Sequence, residues 1–203
     1  DNLRDDVVSL DKAGIDMFHI DIMDGNFVPN FAMGRQDVNT VRKHTAKPLD
    51  VHLMVSNPKN YLPILIEEKA DIVYIHPETD NRILESFAYL KSHGVRAGLA
   101  VSPEVSFSHV SELLPFAENI LLMTVVPGFA GQAFLHQMRP KIEEFIENKQ
   151  KYNYQLFMDG AVSHDIIGTF SKRGVDGFIL GSSSLFRGNK NYAETIKSLI
   201  VSD

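Results

Sequence analysis

Phe18-His19-Ile20-Asp21-Ile22-Met23-Asp24-Gly25 is the stretch on which the reading of the fold turns. Side chains on a β-strand alternate between two faces, so Phe18, Ile20 and Ile22 share one face and His19, Asp21 and Met23 the other. One face is made for an apolar core. The other carries two groups able to bind a metal, just ahead of a loop, Asp24–Asn30. Working outward, the run Met17–Ile22 is the first of seven short apolar runs. The others are Leu49–Val55, Ile72–His76, Ala97–Val101, Ile120–Val126, Gln155–Asp159 and Gly177–Leu180. Each is bounded by Gly, Pro or Asp, as expected of buried parallel strands.

Longer polar stretches with helical character lie between the runs: Arg35–His44, Asn60–Glu68, Arg82–His93, Ser106–Pro115, Gln137–Tyr152, His164–Arg173 and Tyr192–Val201. The chain opens with another, Leu3–Ala13, that has no strand run before it. Such alternation indicates repeated βα units. A (β/α)8 barrel has eight strands and typically about 250 residues. The predicted fold is therefore α/β, a (β/α)8 TIM barrel in one domain over residues 1–203, its first strand apparently missing from this sequence. A doubly wound open sheet is the alternative. The regular spacing, and the clustering of polar residues at strand ends, favour the barrel.

Composition narrows the function classes. With 44% hydrophobic and 23% charged residues the chain reads as an ordinary soluble protein. A formal charge of -6 and the lack of a basic run argue against a nucleic-acid partner. Without cysteine there is neither a disulfide nor a thiolate metal site, so any metal must be held by His, Asp or Glu. No apolar stretch approaches the ~18 residues of a membrane span. The charged N-terminal segment does not read as a signal peptide. The expected location is the cytoplasm.

Two further strand ends repeat the chemistry of the first. In Leu49–Val55, Asp50, His52 and Met54 share a face, and the sixth run ends in Met158-Asp159-Gly160. The resulting His, Asp, His and Asp suit Zn²⁺, and also Mn²⁺, Fe²⁺ or Co²⁺. A lone strand histidine is more often a satisfied core residue, and His-x-Asp before Asp-Gly can be a simple turn. Repetition at several strand ends is what favours ligation. Val126-Pro127-Gly128-Phe129-Ala130-Gly131-Gln132, Asp159-Gly160-Ala161 and Leu180-Gly181-Ser182-Ser183 are small-residue turns after the last strands. Each can be purely structural, but such turns also let backbone N–H groups approach a phosphate, and barrels often bind phosphate there. Met23, Met54 and Met123 stand near the same ends, either as core filler or as an apolar wall that keeps water off a charged intermediate.

The chain resembles the ribulose-phosphate 3-epimerase family of (β/α)8 barrels. The matching segments are FHIDIMDGNFVPNFAMG (Phe18–Gly34), PLDVHLMVSNP (Pro48–Pro58), AGLAVSPE (Ala97–Glu104), LLMTVVPGFAGQAF (Leu121–Phe134), MDGAVS (Met158–Ser163) and GFILGSSSLF (Gly177–Phe186). The likeness runs from about Ala13 to the end, and the first, second and fourth segments are highly specific in combination. It implies one divalent metal, commonly Zn²⁺, at His19, Asp21, His52 and Asp159. It implies Asp21 as base on one face of a ketose phosphate and Asp159 as acid on the other, with a metal-stabilised enediolate between them. Substrate and phosphate contacts would come from His52, Gly128, Phe129, Ala130, Gly131, Gly160, Ala161, Gly181 and Ser182, and the apolar wall from Met23, Met54 and Met123. The family commonly forms dimers or hexamers, so a homo-oligomer is expected, with no nucleic-acid or membrane partner.

The chain departs from the family pattern at three places. A first-strand segment carrying a substrate-contacting serine is absent. Ala161 stands where Gly is frequent, which matters if that position needs a positive φ. Val126 stands where pentose-phosphate enzymes commonly have Asn; with His76-Pro77-Glu78-Thr79 it looks more like the branch acting on allulose 6-phosphate. The expected reaction is D-ribulose 5-phosphate to D-xylulose 5-phosphate, with D-allulose 6-phosphate as the alternative substrate. A non-catalytic sugar-phosphate-binding barrel and a metal-free decarboxylase or isomerase are the competing classes.

Overall fold

The computed structural model describes residues 2–186 and 191–199. Phe18–Met23 is strand β1, and its faces sort as the alternation predicts: Phe18, Ile20 and Ile22 are buried, while His19, Asp21 and Met23 are partly exposed. Six more strands follow: β2 (Leu49–Met54), β3 (Ile72–Ile75), β4 (Arg96–Val101), β5 (Asn119–Met123), β6 (Gln155–Asp159) and β7 (Gly177–Phe178). All neighbours pair in parallel, in chain order from β1 to β7. Each predicted run thus contains a strand, although the last one pairs over Gly177 and Phe178 only.

The helices are α1 (Leu3–Ala13), α2 (Arg35–His44), α3 (Leu62–Glu67), α4 (Ile83–Ser92), α5 (Phe107–Val110), α6 (Arg139–Tyr152), α7 (His164–Phe170) and α8 (Tyr192–Leu199). Five are shorter than the sequence predicts, α4 by one residue at each end, and prolines explain three of the others. A proline lacks the N–H that a helix interior needs, so it is tolerated only in the first turn. Pro63 and Pro140 sit in the first turns of α3 and α6, and the residues before these helices form the 3-10 turns Pro58–Asn60 and His136–Met138. Pro115 lies in another 3-10 turn, Leu114–Phe116, beyond the short α5. At the end of α7 the chain tightens into Ser171–Arg173 before Gly174, whose φ is 114°. The predicted end of α8, Ile200 and Val201, lies outside the described residues.

Apolar side chains collect on both faces of the sheet. On the outer face Ile20, Leu53, Leu99, Ile120 and Leu156 pack with Val38, Leu65, Phe87, Ile142 and Phe170 of the helices. On the inner face Ile72, Tyr74, Ala100, Leu121, Met123 and Phe157 form a separate cluster. The sheet therefore wraps around an interior of its own. The degree of curl can be judged from β1 and β6. Five strand spacings of about 4.8 Å would part them by roughly 24 Å in a flat sheet. Yet His19 Nε2 of β1 lies 3.9 Å from Asp159 Oδ2 of β6. Such curvature needs small residues inside: a Cβ on Gly98 of β4 would sit 2.4 Å from the Tyr74 ring. The first and last helices also meet, with the Tyr192 hydroxyl donating to Asp6 Oδ1 at 3.0 Å. This is an α/β arrangement of the TIM-barrel type with seven strands among the described residues, β1 and β7 being the two edges of the sheet.

Candidate active site

A cleft of about 930 Å³ follows the seam between β1 and β7, and its lining reaches from Asp16 and Asp176, just before these strands, to Met23, Met54 and Met123 at the C-terminal ends of β1, β2 and β5. In parallel barrels the loops at this end carry the chemistry. Asp21 and His52 are directly opposite each other in the β1–β2 register. Their inward side chains bring Asp21 Oδ1 to 3.1 Å from His52 Nδ1. His19, two residues back on the same face, places Nε2 3.3 Å from Asp21 Oδ1. Asp159, the last residue of β6, completes the group with Oδ2 3.8 Å from His52 Nδ1. One ligand atom from each of the four lies within 4.8 Å of the others.

The outer contacts decide which nitrogens carry protons. His19 Nδ1 lies 2.6 Å from Asp50 Oδ1, and Asp50 is fully buried. A carboxylate only accepts, so His19 donates from Nδ1. Its Nε2, buried and without a hydrogen-bond partner, is the atom that faces Asp21 and Asp159. Lone pairs and carboxylate oxygens thus converge on one point, an arrangement that calls for a cation. In the metal-free protein a proton takes that part. Burial opposes charge on His19, but Asp50 and Asp21 outweigh it and hold its pKa well above the usual histidine value. Desolvation likewise works against charge on Asp21, yet its neighbours, His19 first among them, carry it well below the carboxylate range. Burial, with the neighbouring Asp21, pushes Asp159 up to about 6. Two carboxylates beside each other are thus driven to opposite behaviour. Two imidazole nitrogens and two carboxylates, with a bare buried nitrogen aimed between them, fit a divalent ion such as Zn²⁺.

The structure gathers the remaining predicted positions on the same cleft. Met23, Met54 and Met123 line it, and so do Gly128, Phe129, Ala130, Gly131, Gly160, Ala161, Gly181 and Ser182. The loop after β5 is braced: Asn30 Nδ2 donates to Gly128 O at 2.8 Å, and Gln132 Nε2 to Val126 O and Phe129 O at 2.6 and 2.8 Å. Gly160 has φ 109° and backs onto Val125, where a Cβ would meet Cγ2 at 2.5 Å. Ala161 follows at φ 50°. The position where the family pattern favours Gly does use the left-handed region, at a strain of about 1–2 kcal/mol for an L-residue. His52 differs from the other expected substrate contacts: it is fully buried and is not part of the cleft wall, so it faces the cluster through Nδ1 alone.

Sequence reasoning assigned no role to Asp50, although its place opposite His19 and two residues before His52 on the inner face was the available signal. It also missed a chain running from His52 through His76 and Ser102 to Glu78. Burial, then the neighbouring His52, holds His76 well below the usual histidine pKa. No helix among the described residues is long and apolar enough to cross a membrane.

Comparison with known proteins agrees with this geometry. A family model described as the ribulose-phosphate 3 epimerase family matches residues 1–186. The ribulose-phosphate 3-epimerase of Bacillus subtilis (strain 168) is 35% identical over 184 residues, covering 89% of this chain and 85% of that protein. The one from Aquifex aeolicus (strain VF5) is 33% identical, covering 94% and 87%. The chloroplastic ribulose-5-phosphate-3-epimerase of Arabidopsis thaliana is 34% identical, covering 98% and 72%. Among solved structures, a 3-hexulose-6-phosphate synthase superposes with a TM-score of 0.66 over 97% of this chain and 92% of that one, at 15% identity. That likeness speaks for the fold alone. With a family model matching nearly its whole length and relatives this similar, the chain belongs to the ribulose-phosphate 3-epimerase family.

Proposed function

We propose that the protein is a metal-dependent ketose-phosphate 3-epimerase that interconverts D-ribulose 5-phosphate and D-xylulose 5-phosphate. The observation that carries this reading is the pair of unequal carboxylates, Asp21 and Asp159, in one His-Asp cluster on the substrate cleft. His19, Asp21, His52 and Asp159 would hold the ion. When bound, a divalent ion supplies Lewis-acid stabilisation of the negative charge that develops on a 2-ketose when C3 loses its proton.

The chain's own residues do the rest. Asp21, held ionised by the two histidines, removes the C3 proton from one face. Asp159, which keeps a proton more readily, delivers one from the other face and so inverts C3; the reverse reaction exchanges the roles. Met23, Met54 and Met123 keep water from the reacting carbon. Gly128, Phe129, Ala130, Gly131, Gly160, Ala161, Gly181 and Ser182 hold the phosphate through backbone N–H groups, without needing a dedicated cationic side chain.

The choice of a pentose rests on two supports. The similar proteins of B. subtilis, A. aeolicus and A. thaliana carry ribulose phosphate in their names. The features that pointed to allulose 6-phosphate, Val126 and His76-Pro77-Glu78-Thr79, are not among the residues that line the cleft. The test is exchange of the C3 proton of ribulose 5-phosphate in D2O. Wild type with metal should exchange, Asp21→Asn and Asp159→Asn should not, and chelation should abolish exchange. Exchange surviving in both variants refutes the acid–base roles. Exchange surviving chelation refutes metal dependence, and a preference of about a hundredfold for allulose 6-phosphate refutes the pentose.

A further inference from the structure

We propose that His76, Ser102 and Glu78 form a polarised hydrogen-bond chain that fixes the tautomer of His52 and leaves its Nδ1 bare for the metal. They are positioning residues, acting through His52, and the proposal rests on the metal-dependent reading above. Four contacts lie in a row. Asp21 Oδ1 is 3.1 Å from His52 Nδ1, and His52 Nε2 is 2.8 Å from His76 Nε2. His76 Nδ1 is 3.1 Å from Ser102 Oγ, which lies 2.6 Å from Glu78 Oε1. Two neutral imidazoles and one hydroxyl bring three protons to these four contacts. One contact must go without.

The far end decides which. Asp21 and Glu78 are both carboxylates that only accept, but the 2.6 Å contact to Glu78 is much shorter than the 3.1 Å contact to Asp21, so it is the one that takes a proton, from the Ser102 hydroxyl. Ser102 Oγ can then only accept from His76, which puts the His76 proton on Nδ1. His76 Nε2 is left bare and accepts from His52 Nε2–H. The contact without a proton is therefore His52 Nδ1 to Asp21, inside the His-Asp cluster. His52 and His76 are fully buried and Ser102 is 4% exposed, so bulk water does not reset the sequence of donors.

The surroundings hold the chain in place. Lys141 Nζ donates to the carbonyls of Ser102, Pro103 and Val105 at 3.3, 2.5 and 2.7 Å, which pins the segment after β4. Thr79 Oγ1 donates to His76 O at 2.9 Å and ties the turn that carries Glu78. The Phe27 ring, from the loop after β1, lies 4.9 Å from that of His76. Partners of metal ligands that fix tautomer and orientation are worth about 10–100-fold in metal affinity.

The experiment measures Zn²⁺ affinity by chelator competition in wild type, Glu78→Gln, Ser102→Ala and Ser102→Thr. It also reads the ¹⁵N shifts of His76 in the Zn²⁺-loaded proteins. A glutamine can donate to Ser102 and turn its hydroxyl toward His76, reversing the chain. Glu78→Gln should therefore weaken Zn²⁺ by about 10–100-fold, Ser102→Ala by about tenfold, and Ser102→Thr, which keeps the hydroxyl, by less than about threefold. Wild-type His76 should show a protonated Nδ1 and a bare Nε2, and Glu78→Gln should exchange them. Zn²⁺ affinity unchanged in Glu78→Gln and Ser102→Ala, or a wild-type His76 protonated on Nε2, overturns the proposal while the metal reading stands. Failure of wild type to take up Zn²⁺ overturns the metal reading and this proposal with it.

Discussion

Asp50→Asn removes one charge from the site and leaves its shape intact. The Asp50 side chain is fully buried, its Oδ1 lies 2.6 Å from His19 Nδ1, and its Oδ2 has no hydrogen-bond partner. Its work is thus concentrated in one charge-assisted bond to one candidate ligand. Such a bond contributes roughly 1.5–3 kcal/mol and a neutral one roughly 0.5–1.5. The substitution should therefore cost about 1–1.5 kcal/mol at the imidazole, which is close to tenfold in Zn²⁺ affinity. That estimate meets the lower end of the 10–100-fold typical of such partners. A second readout does not involve metal. Asp50 is the foremost of the influences that raise the His19 pKa, so an NMR titration of the metal-free variant should show it falling. Chelator competition measures the first effect. If neither Zn²⁺ affinity nor the His19 titration moves, Asp50 does not polarise His19 and the account of the cluster's protons is wrong.

Metal binding should also expel protons, in a pH-dependent number. His19, its pKa raised, keeps a proton above pH 6.5 in the metal-free protein, while Asp159 titrates near 6. Zn²⁺ should then release more protons at pH 6, where Asp159 adds its own, than at pH 7.5. Calorimetry in buffers of different ionisation enthalpy counts them, and an equal number at both pH values contradicts the pKa assignments. Ala161→Gly should relieve the left-handed strain at φ 50°. After allowance for glycine's extra freedom in the unfolded chain, stability should rise by about 0.5–1 kcal/mol and Tm by about 1–4 °C, and a fall in Tm shows that Ala161 is unstrained. Gly98→Ala drives a methyl to 2.4 Å from the Tyr74 ring inside the sheet. Overpacking of this kind costs about 1–3 kcal/mol, so thermal unfolding should begin several degrees lower, and an unchanged Tm would mean that the interior is looser than described.

Much of the site could be read locally because strand stereochemistry is local. The two-residue period alone places His19 with Asp21 and sets Asp50, His52 and Met54 on one face, and the observed strands keep that parity. Helices were read less well where proline intervened, since an apolar period says nothing about a missing N–H at Pro63, Pro115 or Pro140. The role of Asp159 beside Asp21 came from family resemblance. Nothing in the spacing of two residues 138 positions apart in the chain reveals that they meet.

The amino-acid order thus determined the element types, the face on which each polar group lies and the ends at which chemistry gathers. All of these follow from backbone geometry over a few residues. Tertiary structure alone decided that β6 comes back to β1, that Asp50 faces His19 Nδ1 and that His76 and Ser102 link His52 to Glu78. It also drew the pKa values of Asp21 and Asp159 in opposite directions. The reason is physical. Curvature accumulates strand by strand over the whole sheet, and a proton is placed by burial and by every charge around it, so neither is a property of any short stretch of chain.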